Sequence, residues 1–371
     1  MLTAQPSAAA APANLPKPIK EAQATHPLYN ESIIRPASMM LQPRILFVAE
    51  VSLAQCAKYR VWQKVEYFRK MGVDCTVLEW WRRDEIRNAL QTHSLAIFYR
   101  TPGYPESLKL IAEARRLNVP TIWEVDDLIF DEQTYRANGN IDLLEPSLRD
   151  SVLAGVPLFR AALQACDYAI ASTETLATEM VRAGAKEAFV IENALDTQTL
   201  IAAQVARSNR QVREEYSGVR IVYGSGSKAH DADFQTAAKA LAKLMTVNQD
   251  VELHIIGDLT LPGAFDVFAN RVVRRPFVDY ETYLLQLAEA DISLAPLEPT
   301  IFNDAKSNIK YLEAAVLGLP SVCSPRAAFR AEIEHGVNGF LAESEADWLS
   351  ALTQLVVDKN LRAQVGSEAL Q

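Results

Sequence analysis

"DISLAPLEPTIFNDAKSNIKYLEAAVLGLPSVCS" (291–324) contains two short apolar runs with a helical pattern between them. "DISLAPL" (291–297) and "PSVCS" (320–324) read as buried strands. Residues 303–314, "NDAKSNIKYLEA", read as the first turns of a helix, and Gly318-Leu319-Pro320 supplies its stop. A strand, a crossover helix and a second strand make the two strands parallel. At about 3.6 residues per turn, Lys306, Lys310 and Glu313 share one face, while Ile309, Leu312 and Val316 share another. Two readings of the charged face are open: a solvated stripe with an internal salt bridge, or a site for a ligand carrying phosphates and hydroxyls.

The same alternation extends in both directions. "RILFVAE" (44–50), "VDCTVLEW" (73–80), "LAIFYR" (95–100), "PTIWEVDD" (120–127), "YAIAST" (168–173) and "AFVIEN" (188–193) read as strands separated by helical stretches. "VSLAQCAKYR" (51–60) reads as a loop. Residues 197–217 are polar with a helical bias and read as an interdomain connection. The pattern then restarts with "VRIVYGSGSK" (219–228), a strand entering a Gly-rich loop. The strands "VELHIIG", "RVVRRPFV" and "DISLAPL" follow, each separated from the next by a helix or turn. The fold class is therefore α/β, with two doubly wound Rossmann-like domains facing a central cleft. The expected division is an Ala/Pro-rich disordered arm at 1–42, a first domain at 43–200 and a second at 201–371 with terminal helices. Ligands in such folds sit beyond the carboxyl ends of the strands.

Composition narrows the function. The chain has 371 residues and a formal net charge of −9, which argues against a broad nucleic-acid-binding surface. Four cysteines and five histidines show no metal-ligand spacing, so no metal and no cofactor is expected. No apolar run reaches the roughly 18 residues of a membrane span. A cytoplasmic protein is expected. "EWWRRDEIR" (79–87) fits either inward-packed tryptophans with wet arginines or a weak peripheral grip on the inner face of a membrane.

Gly224, Ser225 and Gly226 form a turn between strand and helix. Such a turn brings backbone N–H groups to an anion, or simply meets a need for positive φ. Lys228 beside it favours phosphate. Lys306 and Ser307 stand where the field of a helix start favours anions, with Asn303 and Asp304 just before them. Lys310 reaches the same anion or pairs with Glu313, and a carboxylate such as Glu313 accepts from neighbouring ribose hydroxyls. In the first half, Asp126 and Asp127 end a strand, as a general base, a sugar-hydroxyl acceptor or simple loop acids. Tyr59 and Arg60 sit near a helix start, on the acceptor or phosphate side or in solvent.

Several segments together resemble a known family. "YRVWQKVEYFRKMGVDCTVL" (59–78), "VIENALD" (190–196), "IVYGSGSKAHDADF" (221–234), the stretch 291–324 and "HGVNGFLAES" (335–344) occur in the order seen in retaining GT-B glycosyltransferases of group 1, family 4. The resemblance implies transfer of a sugar from a nucleotide-diphosphate sugar to a glycan, lipid-linked or related acceptor in surface polysaccharide or glycoconjugate synthesis. It implies that Glu313 binds the ribose and that Lys228 and Lys306 meet the diphosphate without a metal. The chain departs from the family at Ala305, where a glutamate is common. It also lacks the Gly-Gly pair of the first loop and a first-domain histidine, whose approximate place Asp126 and Asp127 take. A nucleotide-sugar epimerase and a non-catalytic glycan- or nucleotide-binding protein are the rival readings.

Overall fold

A computed structural model describes residues 42–212, 218–225 and 231–371, with side chains of 210–212 excepted. Its contacts divide the chain into two units. One joins the described residues up to Tyr135 with Glu145–Glu192, and the other joins Arg136–Leu144 with the described residues of Asn193–Gln371.

The first unit is a six-stranded parallel sheet. Its strands are β1 (Arg44–Ala49), β2 (Asp74–Glu79), β3 (Leu95–Tyr99), β4 (Thr121–Glu124), β5 (Tyr168–Ala171) and β6 (Ala188–Val190), in the order β2-β1-β3-β4-β5-β6. Helices cover both faces, so the strands are continuous apolar runs: Leu46, Phe47, Val48, Phe98 and Trp123 are all fully buried. The stretch after β1 is not the loop its polarity suggests. A helix, α1 (54–70), begins at Ala54 and widens into a π-helical turn at Lys58–Trp62 before returning to α geometry. Such turns place side chains that a regular helix would aim elsewhere. Here the turn carries Tyr59 and Arg60 into the interior.

The second unit is another six-stranded parallel sheet. It contains β7 (Val219–Gly224), β8 (Val251–Ile256), β9 (Val272–Arg275), β10 (Ile292–Ala295), β11 (Ser321–Cys323) and β12 (Phe340–Leu341), in the order β12-β11-β10-β7-β8-β9. Successive side chains of β7 enter opposite layers, as the pleat requires. Ile221 and Tyr223 join one core with Phe234 and Leu241 of α3 (Asp231–Val247) and Trp348 and Leu352 of α6 (Glu345–Val357). Val222 joins the other with Leu284 and Leu287 of α4 (Tyr280–Ala288) and Ala203 and Ala206 of α2 (Thr197–Val212). Helix α2 falls in the segment expected to be a bare connection. Its small alanines pack into this core instead, so it is part of the unit.

The expected helix from Asn303 is divided. A single turn, Ile301–Asp304, is capped by Thr300, whose hydroxyl accepts from the Asn303 N–H at 3.2 Å. The chain leaves helical geometry through Lys306–Asn308, and α5 (Ile309–Ala315) then begins. Tertiary hydrogen bonds hold the break. Asn303 Nδ2 donates to Asp233 at 2.8 Å, and Ser307 Oγ accepts from Asn193 at 2.8 Å. Polar side chains bound elsewhere compete with helix continuation in this way.

Gly318 turns the chain toward β11 with φ +64°, a value that favours glycine. Against this turn packs Gly366 of α7 (Lys359–Leu370), where a Cβ would collide with the Gly318 carbonyl. No described helix is long and apolar enough to cross a membrane. Gly366→Ala should destabilise the second unit by about 1–3 kcal/mol, the usual cost of forcing an extra methyl into a close-packed contact. Thermal unfolding reads this directly, and an unshifted midpoint would show that α7 is not seated on that turn.

Candidate functional site

Strands β7 and β10 are neighbours, yet the helices that follow them lie in different layers: α3 packs in one core, and Ala314 of α5 in the other. The chain ends of the two strands therefore diverge at their carboxyl edge, the usual ligand position of doubly wound sheets. The charged residues of the opening stretch collect there.

Lys310 Nζ donates to the Gly224 carbonyl at the end of β7, at 2.9 Å, and lies 4.4 Å from the centre of the Tyr223 ring. Tyr283 of α4 donates its hydroxyl to Glu313 Oε2 at 3.1 Å. The same hydroxyl lies so near Gly224 that a Cβ there would approach it to 2.8 Å, so this glycine serves close approach. Lys306 sits in the break before α5, 3.5 Å from Asp233 Oδ2 and 5.1 Å from the Phe302 ring centre. Asp233, in the first turn of α3, is fully buried. Its Oδ1 accepts from Asn303 Nδ2 at 2.8 Å and from the Glu298 N–H at 3.1 Å, and its Oδ2 accepts from Asn140 Nδ2 at 3.2 Å. Asn140 in turn accepts from the Ala232 N–H at 2.9 Å, and Glu298 accepts from the Gly139 N–H at 3.1 Å. Residues 136–144 are thus stitched to the start of α3 and the exit of β10.

The structure gathers Gly224, Asn303, Lys306, Lys310 and Glu313, and turns other expected residues away. Asp304 accepts from the Ala327 N–H at 3.3 Å and lies 3.7 Å from Arg326, so it fastens the next helical turn. Ser225 donates its hydroxyl to the Asp258 carbonyl, and Ser307 is engaged by Asn193. The Ser225 hydroxyl thus holds backbone, and the Ser307 hydroxyl holds a side chain. Gly226 and Lys228 lie outside the described residues. Lys310 and Glu313 are not the internal salt bridge that their spacing allows; each bonds to a different strand or helix.

Burial pushes the Lys310 ammonium down to about 8 from its ordinary 10.5. The charge of Lys306 acts the same way, while Asp233 and Glu313 oppose it. Burial also pushes the Glu298 carboxyl up, helped by the Asp233 charge and countered by the Gly139 N–H. Asp233 and Glu298 escaped the sequence reading, although both stand at the sheet edge where such folds bind ligands. Tyr283 and Asn140 gave no local signal.

In the first unit the expected residues are corrected. Arg60 is neither solvated nor open to a phosphate. It is fully buried, donating to Glu124 Oε1 at 2.7 Å and to the Ile191 carbonyl at 2.7 Å. Lys64 joins the same Glu124 oxygen and donates to the Arg60 carbonyl at 3.2 Å; burial lowers its ammonium to about 8. Tyr59 is also buried. Asp126 and Asp127 are not an open pair of acids. Arg100 donates from Nε to Asp126 at 2.7 Å and from its terminal nitrogen to Asp127, and Tyr99 donates to Asp126 at 3.1 Å. Arg100, at φ +49°, meets the charge of both and was passed over by the sequence reading. In "EWWRRDEIR", Trp80 donates to Glu50 at 3.0 Å and stacks on Tyr104, while Arg82 pairs with Glu79 and Glu85.

Comparison with known proteins fits this build. The chain resembles HepE of Anabaena, solved with UDP and glucose (15% identity, TM-score 0.57, covering 89% of this chain and 94% of that one). It resembles sucrose-phosphate synthase of Thermosynechococcus elongatus (13%, TM-score 0.58, 89% and 93%). It also resembles WaaG, a glycosyltransferase involved in lipopolysaccharide biosynthesis (12%, TM-score 0.58, 88% and 94%). At such identities the likeness establishes the fold, and two doubly wound six-stranded units of this kind are the GT-B class. Residues 220–358 match the family described as glycosyl transferases group 1. No curated protein matches the chain at the sequence level.

Two outcomes follow from the buried charges. Glu124→Gln removes the carboxylate that Arg60 and Lys64 share and should cost about 3–5 kcal/mol in urea unfolding, the range for breaking a buried pair. A loss below about 1 kcal/mol would contradict the network. For Lys310, the folded value lies below the ordinary one, so the fold disfavours the cation. That penalty is present below pH 8 and fades as pH rises from about 8 toward 10.5. Relative to Lys310→Met, the wild type should therefore gain on the order of 2 kcal/mol between pH 7.5 and 10. A flat difference would show that Lys310 titrates normally.

Proposed function

We propose that this protein is a retaining glycosyltransferase that moves a sugar from a nucleotide-diphosphate sugar to a glycan or lipid-linked acceptor in surface polysaccharide or glycoconjugate synthesis. The observation that carries the proposal is the assembly of Lys306, Lys310 and Glu313 around the Gly224 turn at the β7–β10 divergence. The group 1 match of residues 220–358 and the likeness to HepE, solved with UDP and glucose, support it. Retention and the class of acceptor rest on the family resemblance of the sequence.

In this reading Lys306 meets the diphosphate. As the bond between sugar and phosphate breaks, negative charge grows on the departing diphosphate, and a fixed cation stabilises that state more than the bound donor. Lys310 braces the Gly224 carbonyl and adds a second positive charge. Glu313, oriented by Tyr283, accepts from the ribose hydroxyls. Ala305 is fully buried at the end of the turn Ile301–Asp304, where the family commonly has a glutamate. Asn303, just before it, is fully buried and donates to Asp233 and the Glu298 carbonyl, so it does not take over the donor-sugar contacts of that carboxylate. The reaction runs without a metal in this proposal, because lysines take the leaving-group charge.

Thermal-shift measurements with UDP-, GDP- and dTDP-sugars identify the donor, since a ligand of the native state raises the midpoint. With that donor, Lys306→Ala should lower turnover by roughly tenfold or more while the fold persists. Unchanged turnover in the folded variant sinks the role of Lys306. Conversion of the nucleotide sugar to an isomer in the absence of acceptor would sink the transferase reading itself.

A further inference from the structure

Asp233 has more to do than hold a fold together. Four donors are described around its carboxylate: the Glu298 N–H, Asn303 Nδ2, Asn140 Nδ2 and Lys306 Nζ. The first three are neutral, and a neutral acceptor would serve them. Lys306 calls for a negative charge directly, and the Lys310 ammonium is favoured by the same charge without a described hydrogen bond to it. A buried carboxylate is costly unless a cation compensates it, and Lys306 is the cation at hand. The contact is loose, however. At 3.5 Å it exceeds the roughly 2.7–2.9 Å of a tight charge-assisted bond. The Lys306 side chain also keeps a small exposed fraction, whereas Asp233 is sealed. The ammonium is therefore held from behind by an anion it can share.

We infer that Asp233 is a positioning residue that competes with the nucleoside diphosphate for Lys306. It holds the lysine before the donor arrives, yields it in part to the diphosphate, and reclaims it as the product leaves. The anion so limits how tightly the spent nucleoside diphosphate is retained. This rests on the reading of Lys306 as the diphosphate lysine.

The test is the dissociation constant of a nucleoside diphosphate, measured by titration calorimetry on the full chain. UDP, GDP, ADP and dTDP are the probes, and the tightest is carried forward. Asp233→Asn should bind it about fivefold or more tightly than wild type. In the Lys306→Ala background the same substitution should change affinity less than about twofold, because the lysine under competition is gone. Equal tightening in both backgrounds, or none in either, overturns the inference while leaving the proposed function standing. Failure of wild type to bind any of the four overturns both. If Asp233→Asn does not give a cooperative unfolding transition, Asp233→Ser carries the same measurement. A purely structural role would weaken binding or leave it unchanged, which is opposite in sign.

Discussion

The constraint on which the candidate site depends is the divergence of the chain at two neighbouring parallel strands. After β7 the backbone goes to a helix in one layer, and after β10 to a helix in the other. Parallel strands all end on the same edge, so every helix start and every strand exit is delivered to that edge. The lysines need no long-range design to meet there. One stands in the break before α5 and the other in the first turn of α5, and Gly224 is the exit of β7.

Much of this was legible because the signals are local. A parallel strand covered on both faces is apolar, and most of the twelve described strands stand where short apolar runs occur; at the sheet edge, β9 is half arginine. The charged face at Lys306, Lys310 and Glu313 was also legible, although as a periodicity it was only partly right. The helix breaks at Lys306–Asn308, and the three residues converge through that break rather than through helical spacing.

What was not legible depends on partners distant in the chain. A helix bearing Arg60 and Lys64 reads as wet on one side. Both are buried only because Glu124, some sixty positions on, supplies the charge. Asp126 and Asp127 look like free acids until Arg100 is placed between them. Asp233 resembles an ordinary first-turn acid of a helix, and only the fold brings Asn140 and Asn303 to it. Long-range ion pairs leave no periodic trace, so the sequence shows the charges without their addresses.

The segment Arg136–Leu144 bears on how the protein can be divided. It is flanked in sequence by the first unit but belongs by contact to the second, so the described chain passes between units three times rather than once. A fragment that starts at Asn193 has all six strands of the second sheet, yet it lacks Asn140 and Gly139. It thereby loses the acceptor for the Ala232 amide, the donor to Glu298 and one of the donors to Asp233. The second domain is contiguous in its sheet and discontinuous in its polar interior. The autonomy of the two halves is a property of their backbones alone.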